Sequence, residues 1–253
     1  MSQSKIYLVA GATRGIGLAL VEEIASKDPF AFIYAGARTP TGLGAAKLQE
    51  ISRKYPGRIE IVKYVAGDKE ENEATAKIIR EKHGRLDVVI ANAGISNSAG
   101  QIHEIAVNQF TDHFSINVVG PIVLFQAVRE LLKASSHPRF IPISSAVGSI
   151  ELISTIPIDG GAYGASKAAL NWITRKIHFE NDWLVAFSLC PGSVNTDMAN
   201  NVIAIDKSGN AGVIKAHWRE PNVAAGILVD IIVASTREKD GGVFNNVEGT
   251  KYP

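Results

Sequence analysis

The feature that most constrains this chain of 253 residues is a glycine-rich turn directly after its first apolar run. Residues 6–10 are apolar, residues 11–17 follow with the spacing G-x-x-x-G-x-G, and apolar residues then recur four apart over 16–24. Such a turn between a strand and a helix lets backbone N–H groups approach a phosphate closely, because glycine has no Cβ and the helix start carries unpaired donors. The sequence therefore predicts a nucleotide phosphate site at residues 11–17.

Further apolar runs alternate with helical patterns along the chain. The runs are 32–35, 59–65, 86–91, 139–144, 185–189 and, more weakly, 242–245; the two longest helical patterns are 109–133 and 163–180. Continuous apolar runs bounded by Gly, Pro or Asn are typical of strands buried on both faces of a parallel sheet. The alternation predicts one α/β domain over residues 1–253, a Rossmann-type doubly wound parallel sheet of about seven strands in a three-layer α/β/α arrangement.

The composition argues against several other classes of protein. The 26 Lys and Arg residues nearly balance the 25 Asp and Glu residues, so the chain lacks the basic excess of a nucleic-acid-binding protein. The single cysteine, Cys190, cannot form an intrachain disulfide, and a buried apolar thiol is favoured over a nucleophile. We find no signal peptide and no run near the roughly 18 apolar residues of a membrane span. We expect a cytoplasmic protein without a metal, nucleic-acid or membrane partner.

Two arginines are placed to select the nucleotide. A carboxylate at the end of the second run would bind ribose hydroxyls and repel a 2′-phosphate, but Ala37 and then Arg38 stand there, and Arg14 lies inside the glycine turn. Hydrogen bonds to charged groups contribute roughly 1.5–3 kcal/mol each, so the pair favours NADP(H) over NAD(H) by on the order of 10²- to 10⁴-fold at most. An arginine that is only a solvated surface charge would remove its share of that preference.

Tyr163 and Lys167 form the clearest candidate for a reacting centre. They stand four apart in a helical pattern, so their side chains share one face. An ammonium about 4 Å from a phenol contributes about 4 kcal/mol at an effective dielectric near 20, roughly what is needed to bring a tyrosine pKa from about 10 to about 7. The lysine together with an oxidised nicotinamide is therefore expected to tune the phenol as an acid or base. A pair with this spacing is by itself common in helices. Ser145 and Asn92 follow the fifth and fourth runs, at the sheet edge where α/β proteins bind ligands, and Asn117 lies in the other long helix.

With these motifs in this order, the sequence resembles the single-domain short-chain dehydrogenases/reductases from residue 6 to about residue 197. The resemblance implies that Tyr163 protonates a carbonyl oxygen and that Lys167 lowers the pKa of Tyr163 and holds the nicotinamide ribose. It also implies that Ser145, the second serine of its motif, hydrogen-bonds the substrate oxygen and that Asn117 holds a water. The implied catalytic set is Asn117, Ser145, Tyr163 and Lys167. The implied cofactor-binding set is Gly11, Thr13, Arg14, Gly15, Ile16, Gly17, Arg38, Asn92, Ala93, Gly94, Tyr163, Lys167, Pro191, Gly192, Val194 and Thr196.

The sequence departs from the family pattern in two informative places. Val65 stands where the family commonly has an Asp that contacts adenine, and Asp68 is not an evident replacement. The stretch between Ser145 and Tyr163 is longer than the common pattern and strongly apolar. We therefore expect substrate-binding segments at 146–162 and 198–220 and an apolar or aromatic substrate. The apolar residues of the first segment are Leu152, Ile153, Ile156, Pro157 and Ile158, and those of the second are Val202, Ile203, Ile205, Val213 and Ile214.

The leading hypothesis is an NADPH-dependent carbonyl reductase, in the branch that contains sniffer-type carbonyl reductases and fungal ketoreductases similar to norsolorinic acid ketoreductase. One alternative is an NAD(P)-linked alcohol dehydrogenase that works in the oxidative direction. Another is a non-catalytic NADP(H)-binding sensor on the same fold. The resemblance also allows a homodimer or homotetramer joined through the two long helices. Apolar residues there exceed what one buried stripe needs: Ile122, Leu124, Phe125, Trp172 and Ile173.

Overall fold

A computed structural model describes residues 4–156 and 159–252, without the side chains of residues 211 and 214. Its strands are β1 (Ile6–Ala10), β2 (Phe32–Ala37), β3 (Ile59–Lys63), β4 (Val88–Ala91), β5 (Arg139–Pro142), β6 (Val185–Ala186), β7 (Ser188–Cys190), β8 (Phe244–Asn246) and β9 (Lys251–Tyr252). The first six form one parallel sheet in the order β3-β2-β1-β4-β5-β6. The chain thus starts at β1 in the middle of the sheet and adds β2 and β3 on one side. It then returns to the other side of β1 and adds β4, β5 and β6 there.

Helices connect these strands. They are α1 (Gly15–Lys27), α2 (Ala46–Lys54), α3 (Lys69–Lys82), α4 (Val107–Phe114), α5 (Gly120–Lys133), α6 (Gly161–Glu180), α7 (Asp197–Ile205), α8 (Ala211–Ala216), α9 (Pro221–Ala234) and α10 (Arg237–Asp240). Asp68 begins α3 by accepting a hydrogen bond from the Glu71 N–H at 3.0 Å. The Asp68 carboxylate is engaged in this cap. This agrees with the expectation that Asp68 does not take the place of the adenine-binding Asp of the family.

The sheet lies between two helical layers, each with its own apolar core. Successive strand residues face opposite sides, so Tyr7 and Val9 of β1 pack towards α1, α2 and α9, while Ile6 and Leu8 pack towards α3, α5 and α6. The strands are buried on both faces, which is why they read as unbroken apolar runs. This arrangement confirms the predicted doubly wound, three-layer α/β fold.

The predicted count of about seven strands needs a correction. The run 185–189 is divided at Phe187 into β6, which pairs with β5, and β7, which pairs with β8. The described residues therefore form a six-stranded sheet and a three-stranded sheet, in which β9 is antiparallel. A bridge between Ile143 and Leu189 connects the two sheets. Pairing with two different neighbours interrupts the strand, and an apolar run does not reveal such a change of partner.

The helix predicted over 109–133 begins at Val107, and a stretch in its middle is not α-helical. Ser115–Val119 form a π-helical turn, and the Gly120 N–H bonds to the Ser115 carbonyl five residues earlier. Pro121 has no N–H to bond to the Asn117 carbonyl four residues earlier, so the α-helical ladder cannot run unbroken through this point. The wider turn contains Asn117, and π-turns of this kind are frequent at functional sites.

Two of the five residues proposed for an interface between copies face the core instead. Leu124 and Phe125 are buried, and Ile173 packs against the same cluster. Trp172, at 67% exposed, is the one member of that group that is largely in solvent. The expectation of a surplus apolar surface was therefore wrong for Leu124 and Phe125, and the oligomeric state stays a prediction.

The helical segment Val107–Lys133 is long and apolar enough to cross a membrane, by length and composition alone. Polar residues interrupt the segment, so it does not form an unbroken apolar run in the sequence and was not expected to be long and apolar enough for a span. Half of its most apolar stretch is buried inside the protein, and Leu124 and Val128 belong to the core cluster. The sheet therefore accounts for the apolar character of this helix.

The core makes a prediction about stability. Phe140 of β5 is fully buried and packs edge-to-face on Phe125 at 5.2 Å between ring centroids. Phe140→Ala should lower the free energy of unfolding by about 3–5 kcal/mol, because it removes buried area and leaves a cavity. The matched control is Phe30→Ala, since Phe30 is 63% exposed. Urea unfolding measures both, and equal losses in the two variants would contradict this description of the core.

Candidate active site

The site lies where the parallel strands end. β1 and β4 are neighbours in the sheet, and their chains continue to helices on opposite faces, which opens a crevice at their carboxyl ends. A cavity of about 650 Å³ occupies this place. It extends from Arg38 after β2, past the glycine turn after β1 and residues 92–95 after β4, to Tyr163 and Lys167 of α6.

The glycine turn is folded tightly against the segment after β4. Gly11 has a φ of +78°, and a Cβ there would lie 2.8 Å from the Ala93 Cα. A Cβ on Gly17 would lie 2.1 Å from the Gly11 carbonyl oxygen and 2.4 Å from the Asn92 side-chain nitrogen. Asn92 Nδ2 donates to that same oxygen at 2.8 Å. These positions need glycine for close packing, and the packing fixes the shape of the turn.

The start of α1 faces the cavity without a side-chain cap. Arg14 is the N-cap residue, and no side chain there accepts from the first N–H groups of the helix. Arg14 and Arg38 both line the cavity and are exposed. Across residues 4–156 and 159–252, neither guanidinium forms an ion pair with a carboxylate. Among the lining residues described, Asp197 is the only carboxylate, and it belongs to α7 and not to the loop after β2. The phosphate end of the cavity is thus rich in unpaired donors.

Tyr163 lines the other end of the cavity, and Ser145 lies beside it, outside the lining. Ser145 begins a short 3₁₀ turn, where its Oγ accepts from the Val147 N–H at 3.4 Å, and its hydroxyl lies close enough to the Tyr163 phenol to lower the pKa of the phenol. Ser144 points elsewhere, because its Oγ donates to Asn171 Oδ1 at 2.6 Å. The alternation of side chains along an extended backbone therefore directs Ser145, and not Ser144, towards Tyr163, as the sequence predicts.

Lys167 is almost completely buried, at 5% exposed. Its Nζ donates to the Ile143 carbonyl at 2.8 Å and lies 5.6 Å from the centre of the Tyr163 ring. Burial without an ion pair disfavours the ammonium and lowers the pKa of Lys167 to about 8. The residue is therefore close to its titration point at neutral to mildly alkaline pH.

Burial acts on Tyr163 in the opposite direction. It raises the pKa of the phenol to about 12, and the hydrogen bond with Ser145 opposes this shift. Desolvation dominates at the phenol, and the lowering of its pKa by Lys167 together with an oxidised nicotinamide stays a prediction. The attraction between an ammonium and a phenolate is opposed by the cost of desolvating both groups, and the spacing of two residues in a sequence does not contain that cost.

Asn117 holds the wall of the site from behind. Its Oδ1 accepts from the Ile95 N–H at 2.8 Å, and its Nδ2 donates to the Ile95 carbonyl at 2.9 Å and to Ser166 Oγ at 3.0 Å. The side chain is fully buried. Its position at the π-helical turn brings it between the segment after β4 and α6. The role of Asn117 in holding a water stays a prediction.

The structure brings most of the predicted residues to one cavity. Those that line it are Gly11, Thr13, Arg14, Gly15, Ile16, Arg38, Asn92, Ala93, Gly94, Tyr163, Lys167, Pro191 and Thr196. Those outside the lining are Gly17, Asn117, Ser145, Gly192 and Val194. Gly17 and Asn117 support lining residues from behind, whereas Val194 is buried and pairs with Arg219. Gly192, with a φ of +69°, turns the chain beside the same arginine.

Sequence reasoning missed several lining residues, most of which follow β2 and β3 or lie near the reacting groups. They are Gly36, Ala37, Thr39, Gly42, Leu43, Gly44, Tyr64, Ala66, Ile95, Ile116, Ile143, Ser144, Asp197 and Met198. Those after β2 and β3 could have been found, since all parallel strands end at the same edge. Val65 also lines the cavity, so an apolar side chain stands where the resemblance implies a carboxylate.

The two segments predicted to bind substrate contribute less to this cavity than expected. No described residue of 146–162 lines it, and Met198 is the one contribution from 198–220. Pro157 and Ile158 lie outside the described residues. The segments instead bind each other: the Asp159 N–H donates to Asp206 Oδ1 at 3.2 Å, and the Lys207 N–H donates to Asp159 Oδ2 at 3.1 Å. They form a connected rim next to Tyr163, and much of 198–220 is helical, in α7 and α8.

Comparison with known proteins supplies the family. The family model described as short chain dehydrogenase matches residues 5–206. The chain belongs to this family. The resemblance predicted from the glycine turn, the serine motif and the Tyr163–Lys167 pair is thereby confirmed, and the protein is an oxidoreductase.

The similarity between this short-chain dehydrogenase and its relatives extends over nearly its whole length. Norsolorinic acid ketoreductase of Aspergillus parasiticus is 32% identical over 260 residues, which cover 99% of this chain and 92% of that protein. The short-chain dehydrogenase srdF of Neurospora crassa is 28% identical over 259 residues, which cover 100% and 99% of the two chains.

Solved structures agree with this placement. The NADPH-bound carbonyl reductase from chicken fatty liver is 29% identical, with a TM-score of 0.86 over 98% of each chain. The carbonyl reductase Sniffer of D. melanogaster has a TM-score of 0.85 over 99% of each chain. At 24% identity, this second likeness concerns the fold alone.

The glycine turn of this short-chain dehydrogenase yields a testable prediction. Gly17→Ala should lower the free energy of unfolding by about 1–3 kcal/mol, because the new methyl group overlaps the Gly11 carbonyl and must displace the turn. The control is Gly212→Ala in α8, where a Cβ would meet nothing within 4 Å. Urea unfolding compares the two. A Gly17→Ala protein as stable as the wild type would show that the turn is not closely packed.

The burial of Lys167 yields a prediction with a defined pH window. Folding lowers the pKa of Lys167 from 10.5 to about 8. Below pH 8 the lysine is charged in both states, and burying the charge lowers the free energy of unfolding. This loss disappears as the pH rises towards 10.5, because the folded protein then holds a neutral lysine. Lys167→Met should therefore be more stable than the wild type at pH 7, by up to roughly 3 kcal/mol, and should lose that advantage by pH 10. Thermal or urea unfolding at both pH values measures the difference, and a difference that does not change with pH would contradict the buried ammonium.

Proposed function

We propose that this protein is an NADPH-dependent carbonyl reductase that reduces a ketone or aldehyde to an alcohol. The observation that carries the proposal is the convergence of Tyr163 and Lys167, with Ser145 beside them, at one end of a cavity. The other end has a glycine turn and two arginines that form no ion pair with any described carboxylate. Two related proteins, a ketoreductase and a carbonyl reductase, carry this activity in their names. We also propose a cytoplasmic location, which the sequence pattern favours and which stays a prediction.

The residues present fit a nicotinamide dinucleotide. Glycines at positions where a Cβ would clash leave backbone N–H groups open to a diphosphate, and the uncapped start of α1 adds donors and the positive end of the helix dipole. Asn92, Ala93 and Gly94 form the wall between this turn and Lys167. When bound, the reduced nicotinamide supplies the hydride, and the protein supplies orientation and the proton.

The chain's own groups account for the proton transfer. The Tyr163 phenol holds its proton at neutral pH, since burial raises its pKa to about 12, and can donate it to a carbonyl oxygen that becomes negative during reduction. Ser145 lies beside the phenol, where its hydroxyl would hydrogen-bond the same oxygen. Lys167, with its pKa near 8 and its Nζ beneath the Tyr163 ring, favours the phenolate that remains after donation. Protonation of this kind contributes on the order of 10²- to 10⁴-fold in rate.

The preference for NADPH rests on charge. Arg14 and Arg38 line the cavity without carboxylate partners in the described chain, and the loop after β2 offers no carboxylate to the cavity. A 2′-phosphate would therefore meet two guanidinium groups and no like charge. Guanidinium groups suit phosphate because they are planar, permanently charged and bind in a bidentate manner.

The rim next to Tyr163 favours an apolar or aromatic substrate. Ile102 packs over Gly161, two residues before Tyr163, and is 64% exposed. Ile150 and Ile153, between Ser145 and Tyr163, are 82% and 69% exposed. Exposed apolar side chains grouped near a cavity are typical of a ligand-binding surface.

Fluorescence titration with NADPH and NADH tests the cofactor proposal. Arg14→Ala and Arg38→Ala should each weaken NADPH binding by roughly 10- to 100-fold and leave NADH binding nearly unchanged, because only the 2′-phosphate contact is lost. Arg53→Ala removes an exposed arginine of α2 outside the cavity and serves as the control. Equal affinity of the wild type for NADPH and NADH would contradict the role of the arginines.

Turnover tests the reaction. With NADPH and a panel of aryl ketones, diketones and keto esters, the wild type should oxidise NADPH. Tyr163→Phe should bind NADPH normally yet lose at least about 10²-fold in kcat, because the proton donor is gone. A Tyr163→Phe protein that reduces the same ketones at the wild-type rate would refute the proposed mechanism.

A further inference from the structure

A buried histidine next to Tyr163 has no part in the reaction described above. His113 lies in the last turn of α4 and has no exposed surface. Its Nδ1 is 2.6 Å from the Gln109 carbonyl oxygen, which can only accept, so Nδ1 carries the hydrogen. In the neutral ring, Nε2 is then an acceptor, and the Asn97 N–H points to it at 3.4 Å. Two hydrogen bonds thus define both the tautomer and the orientation of the ring.

His113 and Asn117 act on the same segment. They are one helical turn apart, and Asn117 binds both backbone groups of Ile95 while His113 accepts from the backbone of Asn97. Residues 95–97, which we call the β4 wall, follow the glycine-contacting stretch after β4, and Ile95 lines the cavity. The β4 wall is therefore held at alternate residues by two side chains of one helix.

The ring of His113 also faces the proton donor. Its centroid lies 6.4 Å from that of the Tyr163 ring, and the planes meet at 71°. This is an edge-to-face arrangement, within the range in which aromatic rings attract each other. The Ser145 hydroxyl lies next to the phenol, and the edge-to-face contact with His113 restricts rotation of the ring.

We propose that His113 is a positioning residue of the carbonyl reduction, a role that rests on the proposed function. It orients the Tyr163 ring by edge-to-face packing and places the β4 wall through the Asn97 N–H. His113 itself neither donates a proton to the substrate nor binds the 2′-phosphate. Its loss should therefore reduce kcat more than it changes cofactor affinity.

Three variants separate positioning from general stability. His113→Leu removes both hydrogen bonds and the aromatic edge. His113→Gln retains an amide oxygen near the place of Nε2, which can accept from the Asn97 N–H. Thr111→Ala is the matched control on α4, where Thr111 is exposed and bonds only to the Val107 carbonyl of its own helix.

Three measurements apply to each variant: the affinity for NADPH, kcat and KM for a ketone that the wild type reduces, and hydrogen exchange of the Asn97 amide. We expect His113→Leu to lower kcat by about 10- to 100-fold, as misplacement of a reacting group does, with NADPH affinity within about threefold of the wild type. Exchange at Asn97 should be at least about tenfold faster in this variant, because its acceptor is lost. His113→Gln should restore slow exchange and most of kcat, and Thr111→Ala should match the wild type.

The outcomes distinguish the two proposals. A His113→Leu enzyme with wild-type kcat overturns the positioning role while the reductase stands. If His113→Leu and His113→Gln lower kcat equally, the hydrogen-bond acceptor for the Asn97 N–H does not matter, and the positioning role is overturned as well. A parallel fall in NADPH affinity and kcat indicates a merely structural role. A wild type that binds NADPH but reduces no carbonyl of the panel refutes the proposed function, and the role of His113 fails with it.

Discussion

The close contact between the glycine turn after β1 and the segment after β4 is the constraint on which the rest of the site depends. β1 and β4 are adjacent in the sheet, and their carboxyl ends would otherwise diverge towards opposite faces. The Asn92 side chain donates to the Gly11 carbonyl, and the absence of a Cβ at Gly11 and Gly17 allows the two chains to touch. This contact fixes the floor of the crevice between β1 and β4.

The reacting end of the site depends on burial more than on attraction between charges. Lys167 donates to a backbone carbonyl and has no carboxylate partner, so desolvation lowers its pKa, while desolvation of Tyr163 raises the pKa of the phenol. Both shifts favour the neutral forms. The protein alone therefore holds a neutral phenol that is ready to donate, and a lysine near its titration point beside it.

The helix from Val107 to Lys133 links core packing to the site. Its second half is buried against the sheet through residues such as Leu124 and Val128, so its first half is held rigidly above the β4 wall. The π-helical turn at Ser115–Val119 brings Asn117 to Ile95, and His113 reaches Asn97 one turn earlier. The same helix thus stabilises the fold and holds the wall next to Tyr163.

The sequence by itself determined the layer architecture, the glycine turn and the shared helix face of Tyr163 and Lys167. These follow from local chemistry: apolar runs for buried strands, glycine for close backbone approach, and a four-residue spacing that places Tyr163 and Lys167 on one face. Only the tertiary structure decided the change of partner at Phe187, the π-helical turn, the raised pKa of Tyr163 and the place of His113. Each of these depends on which groups are brought together from distant parts of the chain and on how much water they lose there, and a linear pattern of residue types contains neither quantity.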